Sequence, residues 1–111
     1  MPVKLHYEAF GMGVPIVCIH GFPLDHTIWQ PMIPALAAGN RIILPDLRGH
    51  GLSPVPDGPY SMPEMAGDII ALLDDLDLPQ VVLVGQSMGG YVALEVAHQA
   101  PERLLGLALV A

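Results

Sequence analysis

Apolar positions fall in short continuous runs separated by amphipathic stretches, and this alternation predicts the architecture. Val3 to Ala9 alternates and leads into Gly11-Met12-Gly13, which reads as a strand entering a tight turn. Pro15 to Ile19 is a continuous apolar run, the pattern of a strand buried on both faces. Arg41 to Leu44, Val81 to Val84 and Leu104 to Ala111 read as further strands. Trp29, Met32, Ile33 and Leu36 stand at helical spacing, although Pro31 and Pro34 are expected to shorten or kink that helix. Ser61-x-x-Glu64 is a capping box, in which the serine oxygen takes an orphan backbone donor. Met65, Ile69, Leu72, Leu73 and Leu76 then form the apolar stripe of a helix that Pro79 closes. Met88 to His98 reads as another helix. After a first hairpin the order is strand, helix, strand, helix, strand, helix, strand. That alternation predicts right-handed crossovers and an α/β fold, a mostly parallel sheet flanked by helices.

The 111 residues are enough for one domain with a real core, and no repeat, linker or low-complexity stretch divides them. Hydrophobic residues make up 52% and charged residues 14%, which fits elements covered on both faces. A formal net charge of −7 argues against nucleic acid or an anionic membrane as partner. The single cysteine, Cys18, lies inside an apolar strand and reads as a small buried hydrophobe. One cysteine allows no internal disulfide, which fits a reducing compartment. The first residues lack the apolar core of a signal peptide, and no run reaches membrane-spanning length. A cytoplasmic location is the expectation.

Three segments carry the candidate chemistry: His20-Gly21-Phe22-Pro23, Asp46-Leu47-Arg48-Gly49-His50-Gly51-Leu52-Ser53, and Gly85-Gln86-Ser87-Met88-Gly89-Gly90. The first two follow strands, and the third turns from strand to helix. Together, in this order and context, they resemble the α/β-hydrolase superfamily, with the third as its nucleophile elbow. The resemblance covers nearly the whole chain but only the N-terminal half of the family's fold, ending after the strand that follows the elbow helix. It implies a serine esterase-like site. Ser87 would be the nucleophile, the N–H groups of Phe22 and Met88 would form the oxyanion hole, and Gly85 and Gly89 would admit the sharp turn. A serine rather than an aspartate at position 87 disfavours the dehalogenase branch. A dinucleotide-binding frame fails, because Ser87 occupies a required glycine position and no acid stands about 20 residues on. No P-loop lysine follows either, and no cofactor or metal is expected.

The resemblance places the acid and histidine of the triad after the serine, beyond position 111. Of the five histidines present, His20, beside the oxyanion loop, is the candidate surrogate base. His26 is a lesser one. His50 reads as a structural loop residue and His6 as a surface residue. His98 lies about 16 Å along the helix from Ser87 and is out of reach. Asp25, Asp46 or Glu95 could orient an imidazole, and Asp46 more naturally braces its own loop. The expected activity is weak hydrolysis of a small uncharged ester. The Leu104–Ala111 strand would leave an apolar edge, so self-association as a homodimer or higher oligomer is expected there. Two alternatives stay open: a silent assembly module, and a fragment active only with a complementary C-terminal half.

Overall fold

A computed structural model describes residues 2–111. The chain forms β1 (Tyr7–Phe10), β2 (Val14–Ile19), a 3-10 segment (His26–Met32), α1 (Ile33–Leu36), β3 (Asn40–Pro45), α2 (Met62–Asp75), β4 (Val81–Gln86), α3 (Met88–Gln99), a short 3-10 turn (Pro101–Arg103) and β5 (Leu104–Val110). The sheet order is β1-β3-β2-β4-β5, with only β1 antiparallel to its neighbour. Among the described residues, no helix is long and apolar enough to cross a membrane.

The continuous apolar runs follow from burial on both faces of the central strands. Val17, Ile19, Ile43, Val81 and Leu83 pack into a core closed by α2 and α3. Cys18, Ile42 and Leu44, the alternate positions, join Trp29 in a smaller core beneath the 3-10 segment and α1. A period of two therefore serves two layers at once. Cys18 is fully buried, and burial pushes its thiol up to about 12, so it is an inert hydrophobe.

The expected first hairpin is corrected. Both edges of β2 are taken by β3 and β4, and β1 instead pairs antiparallel with β3, Tyr7 opposite Pro45 and Phe10 opposite Ile42. Gly11 and Gly13, with φ of +79° and +127°, carry the chain around the start of β3, where a Cβ on either would strike backbone of residues 37–40. The expected helix around Trp29 is also mostly 3-10, ending in a four-residue α1, consistent with the two prolines inside it. In α2 the capping box is present in full, whereas the stop comes at Asp77, whose φ of 55° turns the chain before Pro79. At the far edge, β5 pairs only with β4 among the described strands, and Leu105, Leu107, Leu109 and Val110 are exposed.

Candidate active site

Between β4 and α3 stands Ser87, alone, at φ 54° and ψ −117°. Positive φ is rare for a residue with a Cβ and marks a backbone over-determined by its surroundings. Those surroundings are visible. The Ser87 N–H donates to the Val110 carbonyl at 2.9 Å, which ties the turn to β5. A Cβ on Gly85 would run into the backbone of Gly89, and one on Gly89 would run into the carbonyls of Ile19 and His20. The first turn of α3 thus lies directly on β4 and on the end of β2, a closeness only glycine permits. The Ser87 side chain is exposed and makes no capping hydrogen bond to α3. Its hydroxyl is available.

Across from the elbow runs the loop after β2. A Cβ on Gly21 would come within 3.1 Å of the Ser87 Cβ, so this loop and the elbow are in contact. The Leu24 N–H donates to the Gly21 carbonyl at 2.9 Å, which puts Phe22 and Pro23 at the corner of a turn. Met88 opens α3, so its N–H has no partner within the helix and sits at the positive end of the helix dipole.

His20 is fully buried. Its Nδ1 faces the Gly21 carbonyl at 2.8 Å, and its Nε2 accepts the Leu47 N–H at 3.0 Å. A carbonyl can only accept, so the proton is on Nδ1 and the Nε2 lone pair is spent on Leu47. Burial, the largest influence, holds the ring below its ordinary pKa of 6.5 and keeps it neutral. The expectation of His20 as surrogate base is therefore corrected: no lone pair is left for the Ser87 proton, and the ring brackets the loops after β2 and β3.

The loop after β3 is organised by Asp46, also fully buried. Its Oδ1 accepts from the backbone N–H of His26 and faces His26 Nδ1, each at 2.8 Å, and its Oδ2 accepts the Leu52 N–H at 3.0 Å. Burial alone would raise this carboxyl, but the donors from Leu52 and His26 outweigh it and hold the pKa below the usual range. Gly51, at φ 51°, lets the loop wrap so closely that a Cβ there would strike the Asp46 carboxylate. Asp46 braces its own loop, as expected, and also orients His26. The His26 ring lies 5.5 Å from that of His6, which is less peripheral than a surface residue. His50 Nδ1 faces the Arg48 carbonyl at 2.9 Å, and its ring stacks edge-on to Phe22 at 5.7 Å. His98 is exposed at the end of α3 and Asp25 caps the 3-10 segment.

Sequence reasoning missed Asp68. This residue is fully buried on α2 and grips Arg48 through two bonds, Nε to Oδ2 at 2.6 Å and a second guanidinium nitrogen to Oδ1 at 2.8 Å. Oδ1 also accepts the Val3 N–H at 2.9 Å. The clue was its place on the apolar stripe, three residues after Met65 and four before Leu72. The pair neutralises the Arg48 charge inside the protein.

Two hollows flank the elbow. One of about 400 Å³ is lined by Phe22, Pro23, His50, Tyr60, Met62, Met65 and Met88, with Gly49 and Gly51. Ser87 itself opens on a shallower groove with Tyr91, Leu94, Leu109 and Val110. The two meet at Ser87-Met88.

This architecture is shared with known proteins. The family model for the alpha/beta hydrolase fold matches residues 14–111. The pimeloyl-acyl-carrier-protein methyl ester esterase of Aeromonas hydrophila is 40% identical over 110 residues, covering 98% of this chain and 42% of that protein. A non-heme chloroperoxidase of Kitasatospora aureofaciens is 49% identical over 90 residues, covering 79% of this chain and 32% of that protein. The structure of a thermophilic esterase from Thermogutta terrifontis superimposes with a TM-score of 0.93 at 44% identity, covering 96% of this chain and 40% of that one. The chain spans 20% to 42% of the length of the curated relatives it matches. With its three motifs, its parallel sheet and these matches, the chain belongs to the α/β-hydrolase family.

Proposed function

We propose that this chain is the nucleophile-bearing half of a carboxylic-ester hydrolase fold. The observation that carries the reading is the elbow: an exposed Ser87 held at positive φ and withheld from capping its own helix. In this reading the Ser87 Oγ attacks the ester carbonyl. The new oxyanion is met by the N–H groups of Met88 and Phe22, donors worth about 2.7–4 kcal/mol each in characterised enzymes. The tetrahedral intermediate collapses to re-form the carbonyl, the alcohol leaves with the proton taken from Ser87, and water then cleaves the acyl-serine ester, releasing the acid and restoring the Ser87 hydroxyl. The substrate is small and uncharged, since the hollow beside Met88 is largely apolar and Arg48 is already neutralised by Asp68.

The Ser87 proton needs an acceptor. His20 is committed on both nitrogens, and His26 is turned through Nδ1 to Asp46. His50 faces the Arg48 carbonyl through Nδ1, and its Nε2, without a hydrogen-bond partner among the described residues, is buried rather than presented to Ser87. The base is supplied by polypeptide seated against β5 and α3, and we take the provider to be a second copy of this chain. Unaided, the half-fold should retain only the contribution of binding and the oxyanion hole, about 10³–10⁴-fold over water.

Hydrolysis of a short-chain p-nitrophenyl ester by the purified chain and by Ser87→Ala tests this. Turnover abolished in the variant supports Ser87 as nucleophile. Equal rates would replace this reading with the second one, a silent assembly module, which the committed ring of His20 favours. Activity gained only on adding a separately made C-terminal half of a relative would identify a complementation fragment.

A further inference from the structure

At the start of β1 and of the 3-10 segment, three side chains from distant parts of the sequence converge. His6 immediately precedes β1, Glu8 lies on β1, and His26 opens the 3-10 segment. One nitrogen or oxygen of each falls within 4.8 Å of the others. His6 Nε2 and Glu8 Oε2 are 2.8 Å apart, yet they are not aligned as a hydrogen bond, and His6 Nε2 is buried with no hydrogen-bond partner among the described residues. An orphaned buried nitrogen beside a carboxylate asks for a cation.

We propose that His6, Glu8 and His26 form a binding site for a divalent transition metal of the zinc type, with Asp46 holding the His26 ring from behind. Two imidazoles and one carboxylate are a donor set that suits zinc, leaving a fourth position open to water. His26 Nδ1 is bonded to the buried Asp46, which fixes the tautomer and leaves Nε2 as the ligating nitrogen. A carboxylate behind a histidine is the usual support of a zinc ligand.

A second grouping, Asp25, His26 and Asp46, is also close. It is a poorer cage, because both Asp46 oxygens already accept backbone donors and Asp25 is spent on Thr27. The first grouping is not tied up by backbone donors, and it reaches solvent on its carboxylate side, where the Glu8 side chain is 42% exposed. It is also built on a firm frame. The His6 N–H donates to Ser53 Oγ and its carbonyl accepts the Asp46 N–H, each at 2.9 Å. A bound metal would clip the N-terminal strand to the segment that carries the oxyanion loop. The proposal does not rest on the esterase reading.

Calorimetric titration of the purified chain with zinc chloride, and visible absorption on adding cobalt chloride, test the site. One equivalent of zinc per chain is expected, with the d–d bands of a low-coordinate cobalt centre. His6→Asn and Glu8→Gln should each weaken binding by about tenfold or more, while His98→Asn leaves it unchanged. In the unaltered chain, zinc should shift the imidazole ¹⁵N resonances of His6 and His26 only, a readout that needs no variant to fold. Absence of saturable binding, binding indifferent to both substitutions, or shifts centred on His50 or His98 would overturn the proposal.

Discussion

Ser87 and His20 show how differently two residues of one site announce themselves. What sets Ser87 apart is written in its immediate neighbours: glycines two positions either side, an apolar strand before and a helix after. Its positive φ follows from that local grammar. His20 is adjacent to a motif too, but what its ring does depends on Leu47, 27 positions away, whose N–H uses the Nε2 lone pair. No spacing rule reaches that far. The same bond has a consequence for pH. Burial holds the folded-state pKa of His20 below 6.5, so the folded protein binds fewer protons than the unfolded chain in that region. The contribution is complete above 6.5 and is lost as pH falls toward the depressed folded value. Urea midpoints should therefore drop between about pH 7.5 and about pH 5.5, and His20→Gln should flatten that drop. An equal drop in both proteins would remove His20 from the account.

At the scale of elements, what is local was legible and what is paired was not. The capping box at Ser61 and Glu64 is one turn of chain, and it appears in full: the Glu64 N–H donates to Ser61 Oγ at 3.2 Å, with the Glu64 carboxylate facing the Ser61 N–H at 3.4 Å. Ser61→Ala removes an exposed cap without opening a cavity, so it should cost about 1 kcal/mol, seen as a lower urea midpoint with unchanged m-value. A loss beyond about 2 kcal/mol would mean that Ser61 does more than cap α2. The strand β1 is the contrary case. Its alternation was readable, but its partner was not, because a turn at Gly11 and Gly13 can return the chain to β2 or carry it past. The outcome is decided by β2 having β3 and β4 on its two edges.

The whole molecule is asymmetric about its sheet. One edge is the short antiparallel β1, while at the other edge β5 exposes apolar side chains toward both layers. Leu107 lies in register with Leu83 on the α2–α3 side, and Ala108 with Val84 on the other. Nearby, Tyr91 and Leu94 on α3 are also uncovered. A parallel apolar edge with open backbone groups is a template for association. We therefore expect the purified chain to sediment as a dimer or larger species at micromolar concentration, and Leu107→Lys to shift it toward monomer. A monomer for the unaltered chain in analytical ultracentrifugation would sink the second-copy origin of the base and leave the complementary half as its source.

Fold class, the capped helix and the three motifs were legible in the order of residues, because each rests on interactions within a few residues or on a period set by backbone geometry. The tertiary structure alone decided the rest. It chose β3 as the partner of β1, spent both nitrogens of His20 and buried Asp68 against Arg48, 20 positions away. It also drew His6 and Glu8 up to His26. These are contacts between segments brought together only when apolar faces find one another, and the chain's linear order carries no record of which polar groups will then be adjacent.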